Sequence, residues 1–211
     1  MRYMSGALAW NDDHLMTVEE FRAWSGDGTG QLFDLVNGRV RAQGAPSQTH
    51  GTIQSNMISL LIRHFEDIGR DCRALPTPAI VPEVLSNWNE RYPDVGITCE
   101  LNDPKVHEMR NPLVIVEILS PTNANDTWDN FPIYTSLASV REILYLESEA
   151  IYGYFFRRLP DGSWPKSSAD IRADGTVSFD EIGWSAPMSR IYRGTMIDAA
   201  APPRRGLPKQ R

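Results

Sequence analysis

Leu113-Val114-Ile115-Val116-Glu117-Ile118-Leu119-Ser120, and before it Tyr92-Pro93-Asp94-Val95, decide how this chain reads. The first stretch is apolar at nearly every position, the pattern of a strand covered on both faces. Glu117 stands in its middle. A carboxylate there is expensive to bury unless something pairs with it, and a divalent cation is the usual reason to keep two. Pro93 fixes the backbone just ahead of Asp94, and Asp94 to Cys99 reads as a second central strand. Two acidic side chains on two central strands therefore predict a metal-dependent site built on a sheet.

The elements around these strands follow from local signals. Thr17-Val18-Glu19-Glu20 is a capping box, with Met16 and Phe21 placed as a hydrophobic staple, so a short helix is predicted from Val18 to about Trp24. Leu32 to Val36 alternates and meets Asn37-Gly38, the strongest short hairpin signal, and Arg39 to Ala42 returns as its second strand. Ile53, Met57, Ile58, Leu61, Phe65 and Ile68 recur at helical spacing, which predicts a helix from His50 that Gly69 ends. Ala79 to Val84 reads as a strand broken by Pro82. Asn125 to Pro132 reads as a helix entrance, with the helix running to about Ala138, and Arg141 to Glu147 and Ile151 to Arg157 as further strands. Helix, hairpin, helix, strands, helix and strands give an α/β fold, a mixed sheet flanked by helices.

Composition narrows the class. The 211 residues suffice for one packed α/β domain and are too few for two generous ones. Residues 16–198 are read as that domain, 1–15 as an irregular segment and 199–211 as a disordered basic tail. No apolar run approaches the roughly 20 residues that span a bilayer, and Arg2 is followed by no apolar core with a small-residue cleavage site. Cys72 and Cys99 show neither CxxC nor Cys/His spacing, so two buried thiols in a reduced, cytoplasmic protein are expected. Net charge is −6, and setting aside the four cations of the last eight residues leaves about −10 for residues 1–203. Proteins that grip phosphates normally show a basic face, and this chain advertises none.

The sequence also resembles a known family. Met16 to Phe21, Phe33-Asp34-Leu35-Val36-Asn37-Gly38, His50 opening a long helix, Arg91 to Val95, Val116-Glu117-Ile118-Leu119-Ser120-Pro121, Asp126 with Tyr134 downstream, Ser139 to Glu142 and Ile191 to Gly194 together are similar to the Uma2 family. That is a bacterial group with the restriction-endonuclease-like PD-(D/E)xK fold. The resemblance implies a mixed β-sheet core flanked by helices, with an N-terminal helix and β-hairpin. It also implies Mg2+- or Mn2+-assisted hydrolysis of DNA phosphodiester bonds. Asp94 and Glu117 match the two acidic positions. The Ile118 carbonyl would be a third metal ligand, and Asp34, where relatives commonly carry Glu, would complete the cluster. His50 would orient a water or phosphate, or carry a proton near neutral pH. Homodimerisation is carried by the resemblance alone.

Each assignment has a structural alternative. Asp94 and Glu117 can be polar strand ends, Asp34 a hydrogen-bonding strand residue, and His50 a helix-start residue that caps or packs. His14, His64 and His107 have no partner at a recognisable spacing and are expected at the surface. The pattern breaks at one point. The family's lysine usually sits in the helix after the glutamate, and here Asn130 occupies that place. The chain's three lysines, Lys105, Lys166 and Lys209, all lie elsewhere. Asn130 can donate a hydrogen bond but carries no charge, and just ahead of Phe131-Pro132 it is also a good N-cap candidate. Arg91 or Arg141 would have to supply the missing charge. Two readings therefore stand: an endonuclease with altered activity, or a non-catalytic descendant serving as a binding or assembly module.

Overall fold

The structure, a computed structural model, describes residues 15–121 and 124–203. The expectations for residues 1–14 and 204–211, His14 included, lie outside these. Among the described residues five helices and ten strands follow in chain order. They are α1 (Val18–Ala23), β1 (Phe33–Val36), β2 (Arg39–Ala42), α2 (Gln48–Ile68), β3 (Arg73–Pro76), β4 (Val95–Thr98) and β5 (Val114–Leu119). After them come α3 (Ala124–Trp128), α4 (Phe131–Ser136), β6 (Glu142–Glu147), β7 (Gly153–Arg157), β8 (Ala169–Ile171), β9 (Thr176–Phe179), β10 (Trp184–Pro187) and α5 (Met188–Ile191).

Local chemistry sets the boundaries of the elements that frame the site. The capping box of α1 forms as predicted, Thr17 Oγ1 accepting from the Glu20 amide while Glu20 reaches back to the Thr17 amide. Asn37 and Gly38 both take positive φ, 50° and 78°, the requirement of the tight turn whose twist matches a hairpin. Ser47 caps α2 through the His50 amide, which places His50 in the first turn, and Gly69 ends the helix in the left-handed conformation.

The central sheet runs β3-β4-β5-β6-β7-β8, antiparallel throughout except for the parallel pair β5–β6. All six residues of β5 are buried. Val114, Val116 and Ile118 pack toward α2, the β9–β10 hairpin and α5. Ile115 and Leu119 pack toward Trp128, Tyr134 and Val140 on the other side. A parallel pair cannot be closed by a tight turn, so the chain between β5 and β6 crosses over as α3 and α4. That crossover carries Asn130 and Tyr134 back over Glu117.

Three expectations change. The helix predicted through Ala138 is two helices, because Pro132 lacks an amide hydrogen and its ring would meet the carbonyl of Trp128, four residues earlier. Ala79–Val84 is not a strand: Ile80 alone bridges, to Arg91, and the flanking prolines Pro78 and Pro82 offer no donors. The edge strand β3 was not anticipated, since its four residues include Arg73 and Pro76 and show no clear alternation.

The cysteines are a further correction. Cys72 and Cys99 form a disulfide rather than two thiols. The β3–β4 register pairs Arg73 with Thr98, so the next residues out, Cys72 and Cys99, face each other across the strands. With that bond goes the sole argument for a reducing compartment. A crosslink spanning 27 residues should contribute about 3–4 kcal/mol by restricting the unfolded chain. Cys72→Ser/Cys99→Ser should therefore unfold at distinctly lower denaturant than the parent, and equal midpoints in guanidinium melts would show that the bond adds nothing. Among the described residues no helix is long and apolar enough to cross a membrane.

Candidate active site

Asp34, His50, Asp94, Glu117, Ile118 and Asn130, scattered over 97 positions of sequence, all line one cleft of about 370 Å3. Its floor is the end of the central sheet where β4 and β5 meet. Val95 pairs with Val116, so Asp94 and Glu117 are the next residues out on adjacent strands. The Asp94 amide points to Glu117 Oε2 at 3.3 Å. Asp94 Oδ2 accepts from the Ile118 amide at 2.7 Å, and Oδ1 lies 2.7 Å from His50 Nε2. Gln54, one helical turn beyond His50, donates to the Asp94 carbonyl at 2.7 Å. The amide and carbonyl of a strand residue point the same way, so the Ile118 carbonyl shares the edge on which its amide meets Asp94.

Glu117 is buried, its carboxylate held from the crossover. Tyr134 donates to Oε1 at 2.6 Å and Asn130 Nδ2 lies 3.5 Å from the same oxygen. Burial first, and then the charge of Asp94, push the Glu117 carboxyl well above the usual carboxylate range, against the opposing hydrogen bond from Tyr134. Burial likewise raises the Tyr134 and Tyr145 hydroxyls, with Glu117 adding to both, so each stays protonated beside the carboxylate.

The far wall is the hairpin. Asp34 is buried at 3% exposure and fully engaged: Arg41 donates to Oδ2 at 3.0 Å, and Gln43 and the Tyr92 amide each reach Oδ1 at 3.0 Å. It thus ties the hairpin to the backbone just ahead of Asp94. Asn130 does not cap α4 through its side chain, contrary to that expectation. Its Oδ1 accepts instead from Arg41 Nη2 and from Arg91 Nε, both at 2.9 Å. Arg91 is 2% exposed, with Nη1 on the Leu35 carbonyl and Nη2 on Asn89. Ser120 Oγ lies 3.3 Å from His50 Nδ1. The order serine, histidine, aspartate is that of a hydrolytic triad, yet Ser120 lines a separate pocket of about 110 Å3 rather than the cleft.

Arg41, Gln43 and Gln54 were not singled out by the sequence, where an arginine on a hairpin reads as a solvated face. His64 and His107 stand away from the cleft. His107 is exposed, as expected, whereas His64 is half-buried with Nε2 3.1 Å from the Ile182 carbonyl. No group of three or more His, Cys, Asp and Glu side chains could by itself hold a metal among the described residues. Two adjacent carboxylates and a backbone oxygen do suit a hard cation of the magnesium kind, which keeps waters and takes further oxygens from a phosphate.

A family model described as "Putative restriction endonuclease" matches residues 18–189. The chain belongs to the Uma2 family. The fold agrees: a crystal structure described as "a putative nuclease belonging to DUF820" from Anabaena variabilis superposes with a TM-score of 0.66, at 14% identity, over 84% of this chain and 97% of the other. At that identity the likeness speaks for the fold alone. No curated protein matches the chain. Membership in the Uma2 family supports a nuclease-like function for this chain.

Proposed function

We propose that this Uma2 chain is an endonuclease that hydrolyses DNA phosphodiester bonds with Mg2+ or Mn2+ bound in the cleft. One observation carries the reading: Asp94 and Glu117 lie side by side at the end of the sheet, with the Glu117 carboxyl raised by burial and by its neighbour's charge. Like charges so placed repel, and a divalent cation relieves both the repulsion and the cost of burial. Asp94 and Glu117 would be its carboxylate ligands, the Ile118 carbonyl a third oxygen, and Asp34 the remaining charge of the cluster. Bound there, the cation would polarise a phosphoryl oxygen and lower the pKa of a water. His50, in hydrogen-bond reach of Asp94, is suited to carry the proton that such a water loses. Asn130 holds Glu117 from the other side and can orient a water, without the charge of a lysine. A homodimer would present two clefts to two strands.

The second reading is a binding or assembly module that has lost turnover. Asn130 at the lysine position and the net charge of −6 favour it. Plasmid and single-stranded DNA incubated with the purified protein separate the two. The endonuclease cuts in Mg2+ or Mn2+ and stops in EDTA, whereas DNA left intact in both metals establishes the module.

A further inference from the structure

The cleft is short of positive charge for an anionic substrate. Four carboxylates line it, those of Asp34, Asp94, Glu117 and Asp126, against a single arginine or lysine among the described residues, Arg41. Arg91 cannot help: it is buried and spends Nε, Nη1 and Nη2 on Asn130, Leu35 and Asn89. Arg141 does not line the cleft. Arg41 is placed differently. Both of its hydrogen bonds, to Asp34 and to Asn130, leave from Nη2, so Nε and Nη1 have no partner among the described residues. Its side chain keeps 22% exposure, against 4% for Asp34. Asn130 holds that guanidinium with Oδ1 and turns Nδ2 toward Glu117. The carboxamide thus joins the cation to the acidic pair.

We propose that Arg41 is the side chain that grips the substrate phosphate, bringing from the hairpin the positive charge that residue 130 does not carry. The inference rests on the nuclease reading for its cleavage consequence and on the cleft alone for its binding consequence. Asp34 and Asn130 hold Nη2 and fix the guanidinium plane, which leaves Nη1, with its two hydrogens, and Nε each able to donate to a phosphate oxygen. Arg41 would then touch the reacting phosphoryl group, and Asn130 would act through it as a positioning residue.

The test compares Arg41→Met and Arg41→Lys with Arg39→Met, which removes the same charge two residues away on β2, outside the cleft lining. Anisotropy of a labelled DNA duplex with phosphorothioate linkages, in Ca2+, reads binding. Cleavage of the unmodified duplex in Mn2+ reads turnover, and circular dichroism melts confirm folding. Arg41→Met should weaken binding roughly ten- to a hundredfold and slow cleavage about 10²–10³-fold, with Arg41→Lys intermediate and Arg39→Met near the parent. Adding Asn130→Lys to Arg41→Met should restore part of the cleavage. An Arg41→Met protein that binds and cuts no worse than Arg39→Met overturns the proposal. A parent protein that binds without cutting ends the nuclease reading and leaves the phosphate contact to be judged by the binding arm. A parent that neither binds nor cuts ends both.

Discussion

Asp94→Ala is expected to lower metal-dependent DNA cleavage on the order of 10³-fold or more, while the protein still folds. The carboxylate serves two neighbours here, the Ile118 amide and His50, whereas the contact to Glu117 leaves from the Asp94 backbone amide and remains in the alanine variant. On the proposed reading truncation removes a cation ligand, and it also frees His50 from its hydrogen-bond partner. The fold should survive because Asp94 keeps 19% side-chain exposure and its neighbour Val95 supplies the packing. Water can satisfy the Ile118 amide at the rim. Calorimetric titration with Mn2+ provides the second readout. Heat of binding unchanged from the parent would remove Asp94 from the ligand set, whatever the cleavage result.

Glu117→Gln should abolish cleavage to a similar degree and yet make the metal-free protein more stable at neutral pH. The sign follows from the raised carboxyl. Below the unfolded-chain value of about 4.3 both states hold the proton and Glu117 contributes nothing to pH dependence. As pH rises through that value the unfolded chain releases its proton while the folded protein retains it, so stability falls. The loss is complete once pH passes the raised folded value. Glutamine has no proton to lose, so the melting-temperature gap between variant and parent should open with pH in EDTA. Each 1 kcal/mol should appear as roughly 2–4 °C for a chain of this size. Mn2+ should raise the parent's melting temperature and leave the variant's unchanged. A gap that stays flat from pH 4 to pH 8 would mean that Glu117 is comfortably ionised in the absence of metal.

Residues that carry their reason locally were legible in the sequence. Glu117 inside an apolar strand, Asp94 behind a proline, the Asn37-Gly38 turn and the Thr17 capping box each violate or fulfil a rule within a few positions. Arg41 could not be found that way. What singles it out is its bond to Asn130, 89 positions along the chain, and nothing near Arg41 announces that meeting. Asn130 does stand at the N-cap of α4, as its neighbours suggest, but its side chain makes no capping bond because the guanidinium groups of Arg91 and Arg41 take the carboxamide oxygen. The expectation of two thiols failed for the same cause: 27 residues separate the cysteines, and the strand register that aligns them belongs to β3, a four-residue element ending in proline that is too short to show itself.

Long sequence separations also fix the order in which this molecule can become competent. His50 meets Ser120 across 70 positions, Asp94 meets Ile118 across 24, and Arg41 meets Asn130 across 89. Such loops are the slowest contacts to close, because their entropy is spent before any packing repays it. A chain still being synthesised can complete its hairpin and long helix, yet until Tyr134 has emerged and the crossover has closed over β5 it has no clasp for Glu117. The acidic pair therefore comes under control only once the chain has been made through α4 and β6, and a truncated product ending before the crossover would carry the carboxylates without the residues that govern them.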